Sequence, residues 1–149
     1  MASLKERLVA DMKEAMRARE TMRLETVRML RAAIQRREVD ERTELDDESV
    51  VAVIQKMIKQ SRDAIDQFAQ GNRQDLVEKE AAGVAVLQAY LPEQLDAAQI
   101  AQLIDQALSE TGAATLRDMG KAMGWLKARL QGRADMGAVS AAIKQKLSA

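Results

Sequence analysis

The residues best suited to chemistry lie together in one stretch, GKAMGWLKARLQGRAD, at positions 120–135. It contains the only tryptophan of the chain and three of the seven glycines. Its cations and two of its glycines form the candidate nucleic-acid-binding set: Lys121, Gly124, Lys127, Arg129, Gly132 and Arg133. Small residues let a phosphate approach the backbone, cations neutralise that phosphate, and an indole stacks on a base. The stretch therefore has the composition of a recognition surface for RNA.

Catalysis by the chain itself has no comparable support. The absence of histidine and cysteine excludes an imidazole base, a thiol nucleophile and a Cys/His zinc site. GRADMG at 132–137 has the glycine spacing of a P-loop, but Ala138 and Val139 stand where lysine and a hydroxyl residue are needed. The paired carboxylates at 46–48 lie at a helix cap, where solvated acids are commoner than an acid/base pair. We predict no catalytic residue, no cofactor and no metal.

Seven helices are predicted to carry these residues, because the composition favours helix and the apolar side chains recur at helical spacing. Aromatic residues make up 2% of the chain, which gives little support to a sheet. The residues predicted to begin helices are Ser3, Asp46 or Asp47, Asn72, Asp96, Thr115 and Asp135. Gly71 and Gly112 are predicted to end the third and fifth helices, Gly71 with left-handed backbone.

The core stripe of the sixth helix is predicted to run from Leu116 through Leu126 to Leu130. At about 100° per residue, the centre of this stripe lies opposite Gly124. The same spacing directs Trp125 away from the core of its own group of helices. The indole then either stacks on a base or packs against the first group of helices. A similar stripe in the first helix is predicted to end at Met16.

Pro92 marks the predicted division of an all-α fold into two different helical subdomains. Residues 1–92 hold about four helices, and residues 93–149 form a three-helix tail. The net charge is zero, but residues 111–149 carry seven cations and two anions. Such a basic tail favours a polyanionic partner. Arginines between positions 17 and 37 form a second basic set, for which a solvated helix face is the commoner explanation.

The sequence also bears on the cellular compartment. No apolar run approaches the roughly 18 residues of a membrane span, and the N-terminal sequence is charged and amphipathic rather than signal-like. We therefore predict no membrane contact. The expected class is a soluble cytoplasmic protein of the bacterial type.

Four segments together resemble the GatB/YqeY family, in sequence and in order. They are VRMLRAAIQRREVD (27–40), GNRQDLVEKE (71–80), AYLPEQL (89–95) and GKAMGWLKARLQGRAD (120–135). The resemblance covers essentially the whole chain and is closest to the free-standing YqeY-like proteins. More distantly, the chain is similar to the C-terminal tail of the GatB component of glutamine-dependent aspartyl/glutamyl-tRNA amidotransferase.

The resemblance implies an all-α fold with two different helical subdomains, and contact between the tail and the body of a tRNA. It also carries a family label, carbon–nitrogen ligase activity with glutamine as amido-N-donor. This chain has no domain that matches the catalytic domains of the amidotransferase. The residues that carry over best belong to the basic glycine motif: Gly120, Lys121, Gly124, Gly132, Arg133, Ala134 and Asp135.

Three hypotheses of different classes follow. The leading hypothesis is a small tRNA-associated module that contacts phosphates through its basic tail. The alternative is a protein-interaction module that docks on an amidotransferase or an aminoacyl-tRNA synthetase through exposed apolar residues. The third is amidotransferase activity of the isolated chain, which we do not expect.

Overall fold

A computed structural model describes residues 3–148 of the chain. Within this range the backbone forms seven α-helices and one 3-10 turn, and it contains no strand, so the all-α prediction is confirmed. The helices are α1 (Leu4–Ala18), α2 (Thr21–Glu41), α3 (Asp47–Gln70), α4 (Gln74–Gln88), α5 (Ala97–Thr111), α6 (Met119–Leu130) and α7 (Met136–Leu147). The 3-10 turn, Leu116–Asp118, leads directly into α6.

The chain divides into two compact units. Unit 1 ends at Leu91 and contains α1 to α4, and unit 2 begins at Pro92 and contains α5 to α7. Because proline lacks a backbone N–H and restricts the preceding residue, it favours a break in helical structure at this point. Each unit buries its own set of apolar side chains.

Side chains that accept backbone hydrogen bonds begin most helices where the sequence predicts them. The side chain of Ser3 accepts a hydrogen bond from the N–H of Glu6, and the side chain of Glu6 accepts one from the N–H of Ser3. The same reciprocal arrangement joins Asp96 and Gln99 at the start of α5. These contacts satisfy N–H groups that have no partner within the helix.

The connection between α3 and α4 differs from the prediction by one residue. Gly71 has φ −85° and lies outside the left-handed region, whereas Asn72 has φ 58°. The N–H of Arg73 then donates to the carbonyl of Phe68 at 2.9 Å, which closes the end of α3. Because asparagine tolerates left-handed backbone, Asn72 supplies the left-handed residue after the cap Gly71, and Arg73 precedes α4. Gly71 ends α3 as predicted, but the predicted left-handed backbone at Gly71 and the predicted start of α4 at Asn72 are wrong.

The core of unit 1 brings together apolar side chains from all four of its helices. The fully buried members include Leu8, Val27, Leu30, Val50 and Ile54. In α1 the prediction fails at Met16, which is 50% exposed, while Ala15 is buried. Because each step of four residues turns about 40° beyond a full turn, Met16 lies about 80° around the helix from the line of Leu8. Ala15, seven residues after Leu8, remains on that line.

Polar contacts also hold α1 against the end of α4 within unit 1. The hydroxyl of Tyr90 donates to Asp11 at 2.5 Å. A guanidinium N–H of Arg7 donates to the carbonyl of Ala89 at 3.2 Å, and its Cζ lies 4.8 Å from the centre of the Tyr90 ring. Burial, followed by the hydrogen bond to Asp11, raises the pKa of Tyr90 to about 12. This phenol therefore remains protonated well above neutral pH.

Candidate nucleic-acid interface

The 3-10 turn before α6 fixes where the candidate stretch begins. A carboxylate oxygen of Asp118 accepts from the backbone N–H of Ala114 at 2.9 Å and from that of Thr115 at 3.2 Å. These two backbone hydrogen bonds lower the pKa of Asp118, and the charge of Lys121 lowers it further. Asp118 is therefore ionised at neutral pH, and it closes the turn that positions α6.

One face of α6 packs into the core of unit 2. Ala122, Leu126 and Leu130 are fully buried against α5 and α7. Leu116, which the sequence predicts to be in this core, is instead 47% exposed. It lies in the 3-10 turn, where about three residues make a turn, so the spacing of α6 does not extend back to it.

The opposite face of α6 is exposed and carries small residues. Gly120, Gly124 and Ala128 follow one another at steps of four, and all three are exposed. No heavy atom lies within 4 Å of the position that a Cβ would take at Gly120 or at Gly124. Glycine inside a helix costs about 1 kcal/mol relative to alanine. No packing contact among the described residues accounts for that cost.

Two lysines flank this small-residue ridge. Lys121 and Lys127 are exposed, and neither makes an ion pair within 4 Å among the residues that the structure describes. At 100° per residue, each lies about 60° around the helix from Gly124, on opposite sides, with about 9 Å between them along the axis. The ridge is therefore an open strip of backbone bordered by two solvated ammonium groups.

Trp125 and Arg129 form a local cluster at the edge of this face. The indole is half-buried and packs on the core of unit 2, so the prediction that it points away from that core is wrong. Its Nε1–H donates to Glu110 at 2.9 Å. The guanidinium carbon of Arg129 lies 3.7 Å from the ring centre, and this side chain also donates to the carbonyl of Trp125. One face of the indole is thus already covered.

Gly132 and Arg133 have local structural roles, and their hydrogen bonds to residues 93–95 are the part that the sequence did not reveal. Gly132 is buried, has φ 80°, and its carbonyl accepts from the Gln94 amide at 2.7 Å. The Arg133 carbonyl accepts from the N–H of Leu95 at 3.0 Å, and its guanidinium donates to the Glu93 carbonyl at 3.3 Å. These contacts hold residues 93–95 against the loop before α7, so two of the quoted motifs meet within unit 2.

The positive charge of unit 2 is concentrated after Thr111, and most of its cations are free of ion pairs. Among its described residues, the one ion pair within 4 Å joins Lys146 to Asp105. The remaining cations are Arg117, Lys121, Lys127, Arg129, Arg133 and Lys144. Within residues 3–148, no cluster of three or more acidic, histidine or cysteine side chains is arranged to hold a metal ion. Over the same range, no helix is long and apolar enough to cross a membrane.

A family model described as Yqey-like protein matches residues 5–147. Three curated relatives each bear the name "Altered inheritance of mitochondria protein 41, mitochondrial". The protein from Pyrenophora tritici-repentis is 36% identical over 132 residues, which cover 86% of this chain and 71% of the relative. The protein from Lachancea thermotolerans is 29% identical over 144 residues, which cover 91% of this chain and 76% of the relative. The protein from Vanderwaltozyma polyspora is 24% identical over 147 residues, which cover 93% of this chain and 79% of the relative.

The names of these relatives show that the predicted cellular location is wrong. They describe mitochondrial proteins, so they contradict the predicted cytoplasmic location. The relatives are fungal, and nothing in the comparisons supports the predicted bacterial type. The amphipathic pattern of the N-terminal sequence was a poor guide to the compartment, because charge and spacing there are those of helix α1 in unit 1.

Proposed function

Because the chain belongs to the Yqey-like protein family, we propose that it is a small tRNA-associated helical module without a catalytic site of its own. Its partner is the phosphate backbone of a tRNA, and its contact surface is the exposed face of α6. The more distant resemblance of the chain to the C-terminal tail of the tRNA amidotransferase supports tRNA as the partner. The unpaired cations of unit 2 support a polyanion.

The observation that carries this proposal is the ridge of α6. Lys121 and Lys127 border Gly124, and the space beside that glycine is empty. A phosphate can approach the backbone closely where no side chain intervenes, and two ammonium groups can neutralise phosphates on either side. Each phosphate contact releases condensed counterions, which makes such binding strongly dependent on salt concentration.

Within the candidate set we propose different tasks for different residues. Lys121, Gly124 and Lys127 form the proposed contact surface, and Arg129 adds positive charge at its edge while it covers the indole. We propose that Gly132 and Arg133 act mainly by holding residues 93–95 in place. A stacking role for Trp125 is not proposed, because its Nε1–H and one ring face are engaged.

The test is retention of the protein on immobilised tRNA at low salt. The wild-type protein should be retained, and Lys121→Glu/Lys127→Glu should be released. The matched control is Lys56→Glu/Lys59→Glu, which makes the same charge change on exposed residues of α3 and should be retained. Absence of retention of the wild-type protein would refute the proposed function. Equal retention of both double variants would refute the assignment to α6.

A second candidate function is a protein-interaction module that docks on a tRNA amidotransferase or an aminoacyl-tRNA synthetase. The observation in its favour is apolar exposure on α2, where Met29 is 58% and Val39 is 68% exposed. Flexible methionines are common on surfaces that bind proteins. Capture of such an enzyme by tagged protein after nuclease treatment, without RNA, favours this function over tRNA association. A glutamine-dependent amidation product formed by the pure protein would instead support the carbon–nitrogen ligase activity that the family label gives.

A further inference from the structure

Helix α2 of unit 1 carries a second group of exposed cations. Arg28, Arg31 and Arg36 are all exposed, and none of them makes an ion pair within 4 Å among the described residues. Arg28 and Arg31 are three residues apart and therefore lie on the same side of the helix. Exposed Ala32 follows them on the same side. This face thus repeats the combination of a small residue and neighbouring cations seen on α6.

Arg28 and Arg31 lack partners because the carboxylates of α2 nearest to them in sequence, Glu25 and Glu38, are engaged elsewhere. Glu38 accepts from Lys5 at 2.7 Å and from the backbone N–H of Leu45 at 2.8 Å. The other pairs on α1 and α2 are Asp11, Glu14 and Glu20 with Arg23, Glu25 with Lys79, and Glu41 with Arg37. Lys5, Arg23 and Arg37 are therefore neutralised, whereas Arg28 and Arg31 remain without ion pairs on one side of α2.

Arg28 and Arg31, but not Arg36, border a groove between α1 and α2, which the paired Lys5 and Glu38 also line. The groove has a volume of about 480 Å³, and apolar atoms of Leu8, Val9 and Ile34 contribute to its lining. A guanidinium nitrogen of Arg31 lies 3.1 Å from the sulfur of Met12, so this side chain extends from α2 toward α1. Thioether sulfur is a weak acceptor, so this contact leaves most of the hydrogen-bonding capacity of Arg31 unused.

We propose that this groove is a second site for an RNA phosphate backbone, located in unit 1, with Arg28 and Arg31 as its phosphate-binding residues. The guanidinium group presents parallel N–H donors that match two phosphate oxygens, and Arg28 and Arg31 are both exposed. No aromatic side chain lines the groove, so the ligand is the sugar–phosphate backbone rather than a stacked base. The inference rests on the proposed function only for the choice of RNA as the polyanion.

The groove differs from the α6 ridge in how it binds phosphate. Arginine forks give directional, paired hydrogen bonds, whereas the two lysines of α6 act as compact charges. A conservative change to lysine in the groove therefore preserves the number of charges but removes the paired donors. This difference provides a variant that tests geometry separately from charge.

The experiment measures tRNA affinity between about 50 and 200 mM salt for the wild type and for Arg28→Gln/Arg31→Gln. Each phosphate contact contributes about a 3.5-fold loss of affinity over this range. Removal of two contacts should therefore reduce the total salt-induced loss about tenfold. The control is Lys56→Gln/Lys59→Gln on α3, which should leave the wild-type loss unchanged. Arg28→Lys/Arg31→Lys should keep the wild-type salt dependence while it binds more weakly at every salt concentration.

The outcomes separate this inference from the proposed function. If the wild type binds tRNA and Arg28→Gln/Arg31→Gln has the wild-type salt dependence, the groove is not an RNA site and only this inference is overturned. If Lys56→Gln/Lys59→Gln reduces the salt dependence equally, the effect is one of net charge and the site is again overturned. If the wild type does not bind tRNA, both proposals fail. Circular dichroism confirms that the variants retain their helices.

Discussion

Gly124 and Gly132 belong to the same motif, yet substitution of each by alanine should change stability in opposite directions. Gly124 lies inside α6 with no heavy atom within 4 Å of a prospective Cβ. Alanine there should raise the free energy of unfolding of unit 2 by about 0.5–1 kcal/mol. Gly132 has φ 80°, and a Cβ in left-handed backbone costs about 1–2 kcal/mol. The two variants should therefore differ by about 1.5–3 kcal/mol.

Urea unfolding followed by tryptophan fluorescence measures this difference directly. Trp125 is the only tryptophan and lies in the core region of unit 2, so its emission reports on that unit. In thermal unfolding, 1 kcal/mol corresponds to a shift of about 2–4 °C for a chain of this size. Gly124→Ala should melt above the wild type, and Gly132→Ala should melt below it.

Two results would refute this reasoning. A loss of more than about 1 kcal/mol in Gly124→Ala would mean that a neighbouring group fills the space beside α6. An unchanged stability in Gly132→Ala would mean that the loop before α7 does not require left-handed backbone. The first result would also remove the basis for the proposed contact surface, because an occupied ridge is closed to a phosphate.

Three further predictions concern side chains outside the ridge. Because the pKa of Tyr90 is raised to about 12, the stability that its protonated phenol contributes is complete below pH 10 and is lost as the pH rises toward 12. The urea midpoint of the wild type should therefore fall over this range, and it should fall less in Tyr90→Phe. Asp96→Ala removes the acceptor at the start of α5 and should lower the free energy of unfolding by about 1 kcal/mol, whereas a midpoint equal to the wild type would contradict the capping role. Arg133→Gln removes the guanidinium bond to the Glu93 carbonyl and should lower stability by about 0.5–1.5 kcal/mol, with the salt dependence of tRNA binding unchanged; a reduced salt dependence would make Arg133 a phosphate contact.

The helices could be predicted from the sequence because their ends depend on local chemistry. Ser3 and Asp96 each accept a hydrogen bond from a backbone group three residues later, and such contacts need only short sequence patterns. The same local logic places the left-handed Gly112 at the end of α5. It failed at Gly71 because asparagine at the next position also tolerates left-handed backbone, and the two positions are equivalent in a pattern.

The candidate site was less predictable because its contacts join distant positions. The bond between Arg133 and the Glu93 carbonyl spans forty residues of sequence, and the bond between Trp125 and Glu110 spans fifteen. Spacing along one helix contains no information about such partners. It therefore assigned Arg133 to the RNA and directed Trp125 away from its own core, whereas the pairing of each becomes evident only in the folded unit.

The proposed role of α6 is tested most directly by the salt dependence of tRNA binding in Lys121→Gln/Lys127→Gln. The slope of the logarithm of the association constant against the logarithm of salt concentration should fall by about two relative to the wild type, one for each phosphate contact removed. Lys56→Gln/Lys59→Gln should keep the wild-type slope. A Lys121→Gln/Lys127→Gln protein that is folded, binds tRNA and retains the wild-type slope would contradict the assignment of α6 as the phosphate-binding surface.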